Sequence, residues 1–140
     1  MKKNVWLTVH GEQRYEGLSA DSSELRVRGT MERTEDGFLL RYEETGEDGK
    51  VTTATRLALA PDCVILTRTG EVTSEMAFEE GREHTSFYAV PYGTLPVTVK
   101  AESVRWRLNE DGGMLALRYF IDIGGQKGKC ALRIRVRTEE

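Results

Sequence analysis

Two cysteines, three prolines and two histidines are all that the 140 residues contain of these types, and each shortage excludes something. Cys63 and Cys130 stand far apart in apolar stretches, so no disulfide framework or CxxC metal knuckle is available. His10 and His84 are equally distant, and no HxxxH or HExxH spacing occurs. A nucleophile elbow of the GxSxG type and a phosphate-binding glycine loop opening a helix are also lacking. Gly124-Gly125-Gln126-Lys127-Gly128-Lys129 imitates such a loop but reads as a hairpin. No metal, cofactor or catalytic group is therefore expected, although His10 beside Glu12 and Cys130 after Lys129 are the nearest approaches to one. Long apolar runs are missing too. Met1-Lys2-Lys3 has the basic start of a leader, but the roughly 7–15 apolar residues that should follow are absent. The expectation is a cytoplasmic protein with reduced thiols and no membrane contact. A basic excess is missing as well: 20 Lys and Arg face 23 Asp and Glu, for a net charge of -3. On that balance nucleic acid is not an expected partner.

What the chain does have is alternation. Leu25, Val27, Gly29 and Met31 share one phase, as do Leu115, Leu117, Tyr119, Ile121 and Ile123, and Cys130, Leu132, Ile134 and Val136. The other phase is mostly charged or polar, with Arg26, Arg28, Arg118, Asp122, Arg133, Arg135 and Arg137 beside Ala116, Phe120 and Ala131, the pattern of half-buried antiparallel strands. Asp36-Gly37, Asp48-Gly49 and Asp111-Gly112 sit between apolar runs, where tight turns need positive backbone dihedrals. Glu71–Glu80 fits a strand better than a helix, because only a strand puts Val72, Ser74, Met76 and Phe78 together. Glu16–Ser23 is the expected loop or helical turn. Between Leu95 and Leu108 the apolar residues change from odd (Val97, Val99, Ala101) to even (Val104, Trp106, Leu108). A one-residue slip turns every side chain over, so a β-bulge is expected near Glu102-Ser103. About eight to ten strands with tight turns, little helix and no βαβ pattern predict a single domain over 1–140. The architecture is all-β, an antiparallel up-and-down barrel closed so that no edge is left exposed.

The central block runs from Arg68-Thr69-Gly70 through Ser74-Glu75-Met76-Ala77-Phe78 to Tyr88 and Pro91-Tyr92-Gly93. It resembles the uncharacterised bacterial YwiB-like family, with an Arg-x-Gly turn, a Ser-x-Met-x-Phe strand and a Pro-Tyr-Gly turn after a tyrosine. The resemblance implies a calycin-like, lipocalin-type barrel and carries no activity with it.

Two features are candidates for function. Arginines outnumber lysines fourteen to six and alternate along strands as Arg26/Arg28, Arg105/Arg107 and Arg133/Arg135/Arg137. They could recognise a carboxylate or phosphate bidentately. The plainer expectation is a solvated outer face neutralised by Glu32, Glu43, Glu44, Glu75, Glu79 and Glu102. Tyr88–Gly93 concentrates two tyrosines around a proline-fixed turn and suits either a ligand mouth or a structural corner. Trp6 and Trp106 read as core plugs or barrel-end closures. The leading expectation is a non-enzymatic binder of a small, anionic or amphipathic ligand, held by Tyr88 or Tyr92 with an arginine such as Arg68 or Arg118. That arginine needs a counter-anion, either the ligand or one of Glu79, Glu80 and Glu83. The rival is a protein-interaction module whose interior is filled with side chains. Oligomeric state is not legible.

Overall fold

The computed structural model describes residues 1–139. Ten strands follow one another without a helix: β1 (Lys2–Tyr15), β2 (Asp21–Arg33), β3 (Phe38–Thr45), β4 (Val51–Ala60) and β5 (Cys63–Gly70), then β6 (Thr73–Phe78), β7 (Glu83–Val90), β8 (Gly93–Asn109), β9 (Gly112–Ile123) and β10 (Gln126–Thr138). Each pairs antiparallel with its sequence neighbours, and β1 pairs with β10 to close the barrel. The all-β barrel expectation is borne out. Glu71–Glu80 contains a strand, and the Glu16–Ser23 loop is shorter than expected because β2 starts at Asp21.

Up-and-down connection sorts the turns to two ends. The base carries the turns after β2, β4, β6 and β8, and the mouth those after β1, β3, β5, β7 and β9. At the base the inward residues are apolar. Phe38, Leu59, Val64 and Phe78 form one cross-strand row, and Leu40, Leu57, Leu66 and Met76 the row above it. Trp106 closes this end, its ring edge-on to Phe38 and its Nε1 donating to the Ala60 carbonyl at 2.8 Å. Trp6, by contrast, lies outside the barrel between the outward arginines Arg26 and Arg28. The expectation of a plug fails there because Val5 and Leu7, in the opposite phase, take the inward positions.

The bulge falls where the phase change requires it. Ala101 pairs with Tyr119 and Ser103 with Arg118, leaving Glu102 as the extra residue. The β6–β7 loop holds the site, with Gly81 N donating to the Ala101 carbonyl and the Glu80 carboxylate accepting from Val104 N, both at 2.9 Å. The Asp-Gly turns divide. Gly49 has φ 79°, as expected. Gly37 has no positive φ; glycine is needed there because a Cβ would run into the Leu59 carbonyl.

Candidate functional site

Above the two apolar rows, the next inward row is polar. Tyr42 on β3 pairs with Thr55, Thr55 with Arg68, Arg68 with Ser74 and Ser74 with Tyr88. Strand alternation dictates this: Tyr42, Thr55, Arg68 and Ser74 are each two positions beyond an apolar inward residue on their own strand, so they face inward, and Tyr88 joins the row through its pairing with Ser74. Thr55 and Ser74 are the two buried polar residues among those described. Tyr119 and Cys130, paired between β9 and β10, face the row from the other wall. Of these, Tyr42, Arg68, Tyr88, Tyr119 and Cys130, together with Tyr15, Leu66, Met76 and Leu132, line a cavity of about 320 Å³ at the mouth end, with Thr55 and Ser74 buried behind the lining.

Electrostatics in the cavity follow from burial. The phenols of Tyr15, Tyr42 and Tyr119 are raised above their ordinary value of 10.0, chiefly because burial penalises the tyrosinate. The nearby Arg68 cation works against that rise at Tyr42 and Tyr119. Burial also raises the Cys130 thiol, which stays protonated at neutral pH. Arg68 itself is half-buried, and among the described residues no carboxylate lies within 4.0 Å of its guanidinium. Thr55 Oγ1 is buried and makes no well-formed hydrogen bond among them, although it lies near enough to the Tyr42 hydroxyl to oppose the rise of that phenol. The arrangement is a cation and several hydroxyl donors above an apolar floor, with the exposed carboxylates Glu12, Glu24 and Glu44 also in the lining.

Of the four residues proposed from sequence, the structure brings two together. Arg68 and Tyr88 line the cavity. Tyr92 stands 90% exposed on the β7–β8 turn, at the same end of the barrel but outside the lining. Arg118 points outward from β9, 3.7 Å from Glu102, because it occupies the phase opposite to Leu117 and Tyr119. Glu79 and Glu80 are in the base loop, where they contact His84 and Val104, so neither serves as counter-anion to Arg68. Sequence reading sets Ser74 and Tyr119 in apolar rows without assigning them to a site, and it does not single out Tyr42 or Thr55. Each is in phase with apolar neighbours, a signal that was present, but only strand register shows that they converge.

Elsewhere His10 pairs with Glu12 at 3.2 Å and His84 with Glu79 at 3.0 Å. Among the described residues no group of three or more His, Cys, Asp or Glu is placed to hold a metal. Cys63 and Cys130 are both free. No helix of the described residues is long and apolar enough to cross a membrane.

The family described as Domain of unknown function (DUF1934) matches residues 7–134. The chain belongs to this family. Its DUF1934 fold is also that of the YwiB protein from Bacillus subtilis, whose crystal structure superposes with a TM-score of 0.82 at 20% identity, over 98% of this chain and 94% of that one. The resemblance read from the central block is borne out. Three residues that carry it, Arg68, Ser74 and Tyr88, are successive members of the polar row. A structure of unknown function from Bacteroides ovatus matches at 10% identity with a TM-score of 0.38, over 99% of this chain and 41% of that one. No curated protein matches the chain.

Proposed function

We propose that this DUF1934 protein is a non-enzymatic binder of a small amphipathic anion, a carboxylate or phosphate carried on an apolar body, held in the mouth-end cavity. The single observation that carries the reading is Arg68: a half-buried guanidinium without a carboxylate partner, inside a cavity of about 320 Å³. Leaving a cation partly desolvated and unpaired is costly, and a bound anion removes that cost. The planar fork suits carboxylate or phosphate, while the protonated Tyr42 and Tyr119 hydroxyls are available to donate. Leu66, Met76 and Leu132 supply the apolar surface. The volume lies near the lower end of the roughly 300–1,000 Å³ of ligand pockets, which favours a compact ligand.

Open interior space weighs against the rival reading of a barrel filled with side chains. Catalysis has little support in the cavity. No histidine lines it among the described residues, and its thiol is held in the unreactive protonated form by burial. Two free cysteines suit a reducing compartment, and we place the protein in the cytoplasm on that ground.

The test is native mass spectrometry of the purified protein for a retained small molecule. It is followed by thermal shift against small carboxylates and phosphates. A ligand at 100 times its dissociation constant adds about 2.7 kcal/mol. Arg68→Met should abolish that shift, and Tyr88→Phe should reduce it. The reading fails if no anion stabilises the protein, or if the shift survives in Arg68→Met.

A further inference from the structure

The outer wall opposite the polar row carries a second concentration of arginine, and its layout follows from register. Across β8, β9, β10, β1 and β2, one row reads Arg107, Met114, Arg135, Thr8, Arg26. On its base side Arg137, Trp6 and Arg28 continue the pattern on β10, β1 and β2. On its mouth side Arg105, Ala116 and Arg133 continue it on β8, β9 and β10. The seven guanidinium groups therefore form three columns, on β8, β10 and β2. Neighbouring columns are two strands, or about 9–10 Å, apart, and arginines within a column recur about every 6.6–6.8 Å.

This wall is charged with few ion pairs, although the mouth-side row ends in His10 and Glu24 on β1 and β2. Of the seven, only Arg28 has a carboxylate within 4.0 Å among the described residues, Glu139 at 3.4 Å. The expected cross-strand glutamates do not supply partners. Of those named from sequence, Glu102 alone pairs with an arginine, and that arginine is Arg118. Arg26 and Arg28 hold their guanidinium carbons 4.7 and 4.8 Å from the Trp6 ring centroid. Stacking occupies the flat face of a guanidinium and leaves its edge donors free, so Trp6 braces two of the heads without satisfying them.

We infer that this wall binds the sugar-phosphate backbone of a nucleic-acid duplex, without reading base sequence. The net charge of -3 points the other way, but it averages over a segregated surface: the acids lie mainly at turns and on the other strands. Three features favour this partner over an acidic protein segment. All seven cations on the grid are arginine, the residue whose fork matches phosphate. The three inner strands, β9, β10 and β1, are paired on both sides along the grid, so its centre offers no free edge to an added peptide strand; only the outer sides of β2 before Gly29 and of β8 beyond Ala101 lack a ladder partner. The charges form a two-dimensional array rather than a single line. Trp6 is covered by arginine, which leaves no stacking platform for the bases of a single strand.

Fluorescence anisotropy with 20-base-pair RNA and DNA duplexes of unrelated sequence, across a salt series, tests this. Binding should be indifferent to sequence. Its logarithm should fall linearly with the logarithm of salt concentration, by about 0.9 per phosphate contacted on DNA. The triple variant R133Q/R135Q/R137Q should lose at least tenfold in affinity at low salt and flatten the slope by about 2.7. These side chains are exposed, and circular dichroism with a thermal melt checks that the barrel is intact. Arg56→Gln with Arg82→Gln, exposed arginines off the wall, should leave binding within twofold. The RNA and DNA arms separate the two sources of the same backbone. The inference is overturned by no duplex binding at low salt, by an equal loss in the off-wall variant, or by an acidic peptide binding more tightly than either duplex.

Discussion

The base and the mouth of this barrel are built from the same strands by the same alternation, yet they do opposite things with their inward positions. At the base, Leu57 is buried between Leu40 and Leu66. Two residues earlier on the same strand, Thr55 lies between Tyr42 and Arg68. One step along β4 thus passes from a close-packed apolar layer to a layer holding a cation, hydroxyls and open space. A barrel needs only enough apolar layers to be stable, and once the base supplies them the mouth is free to carry polar groups that destabilise the fold.

The sharpest way to break the comparison is to damage the base. Leu57 is fully buried, with side chains above and below it in the barrel. Leu57→Ala should cost about 2–5 kcal/mol in urea denaturation, through lost burial and the cavity left behind. A loss below 1 kcal/mol would mean that the base is not the stabilising layer.

The two ends were unequally legible. Alternation and the phase change at Glu102 are enough for the barrel and its bulge, because each is a local pattern with one geometric solution; the Asp-Gly pairs mark the turns but not their dihedrals, since Gly49 has a positive φ and Gly37 does not. The site was half legible. Arg68 and Tyr88 stand out through chemistry and turn context, while for Tyr92 and Arg118 the sequence does not show which phase faces inward. Thr55 and Ser74 look like ordinary strand residues in sequence. They become informative only when register sets them on either side of Arg68, and register depends on contacts between strands that no single segment encodes. Trp6 misled for a related reason: its size suggested core, whereas its phase put it under two arginines.

Alkaline pH sharpens the contrast, since the cavity phenols belong to the mouth. Tyr15, Tyr42 and Tyr119 have raised values in the folded state, so the folded protein holds protons that the unfolded chain releases near pH 10. Their contribution to stability is present in full below the unfolded value and is lost as pH rises through the folded values. Stability should therefore fall above about pH 10, by at most about 1.4 kcal/mol per pH unit for each tyrosine that titrates only on unfolding. Tyr119→Phe should make the fall shallower. An unchanged profile in that variant, followed by urea denaturation from pH 9 to 11, would remove the burial of Tyr119 as its cause.

The smallest expected effect is also the most discriminating, because it has the opposite sign from the first. Thr55 Oγ1 is buried without a well-formed hydrogen bond, with the Tyr42 hydroxyl as a polar neighbour, and an unmet hydroxyl in a low-dielectric site costs about 1–3 kcal/mol. Valine replaces that hydroxyl with a methyl group of similar shape, favours strands and adds nothing that needs a partner. Thr55→Val should therefore raise stability by about 1 kcal/mol in ligand-free protein, although the residue lies one inward position from Leu57, where truncation is costly. If the hydroxyl instead positions Tyr42 for the proposed anion, the same substitution should also weaken the ligand-induced thermal shift, which Leu57 variants that still fold should leave in place. Parallel urea and thermal-shift measurements on Thr55→Val separate the two roles: a gain in stability with a reduced shift assigns Thr55 to the site. A loss of stability would mean that its hydroxyl is already satisfied in solution, and the contrast between mouth and base would then rest on Arg68 alone.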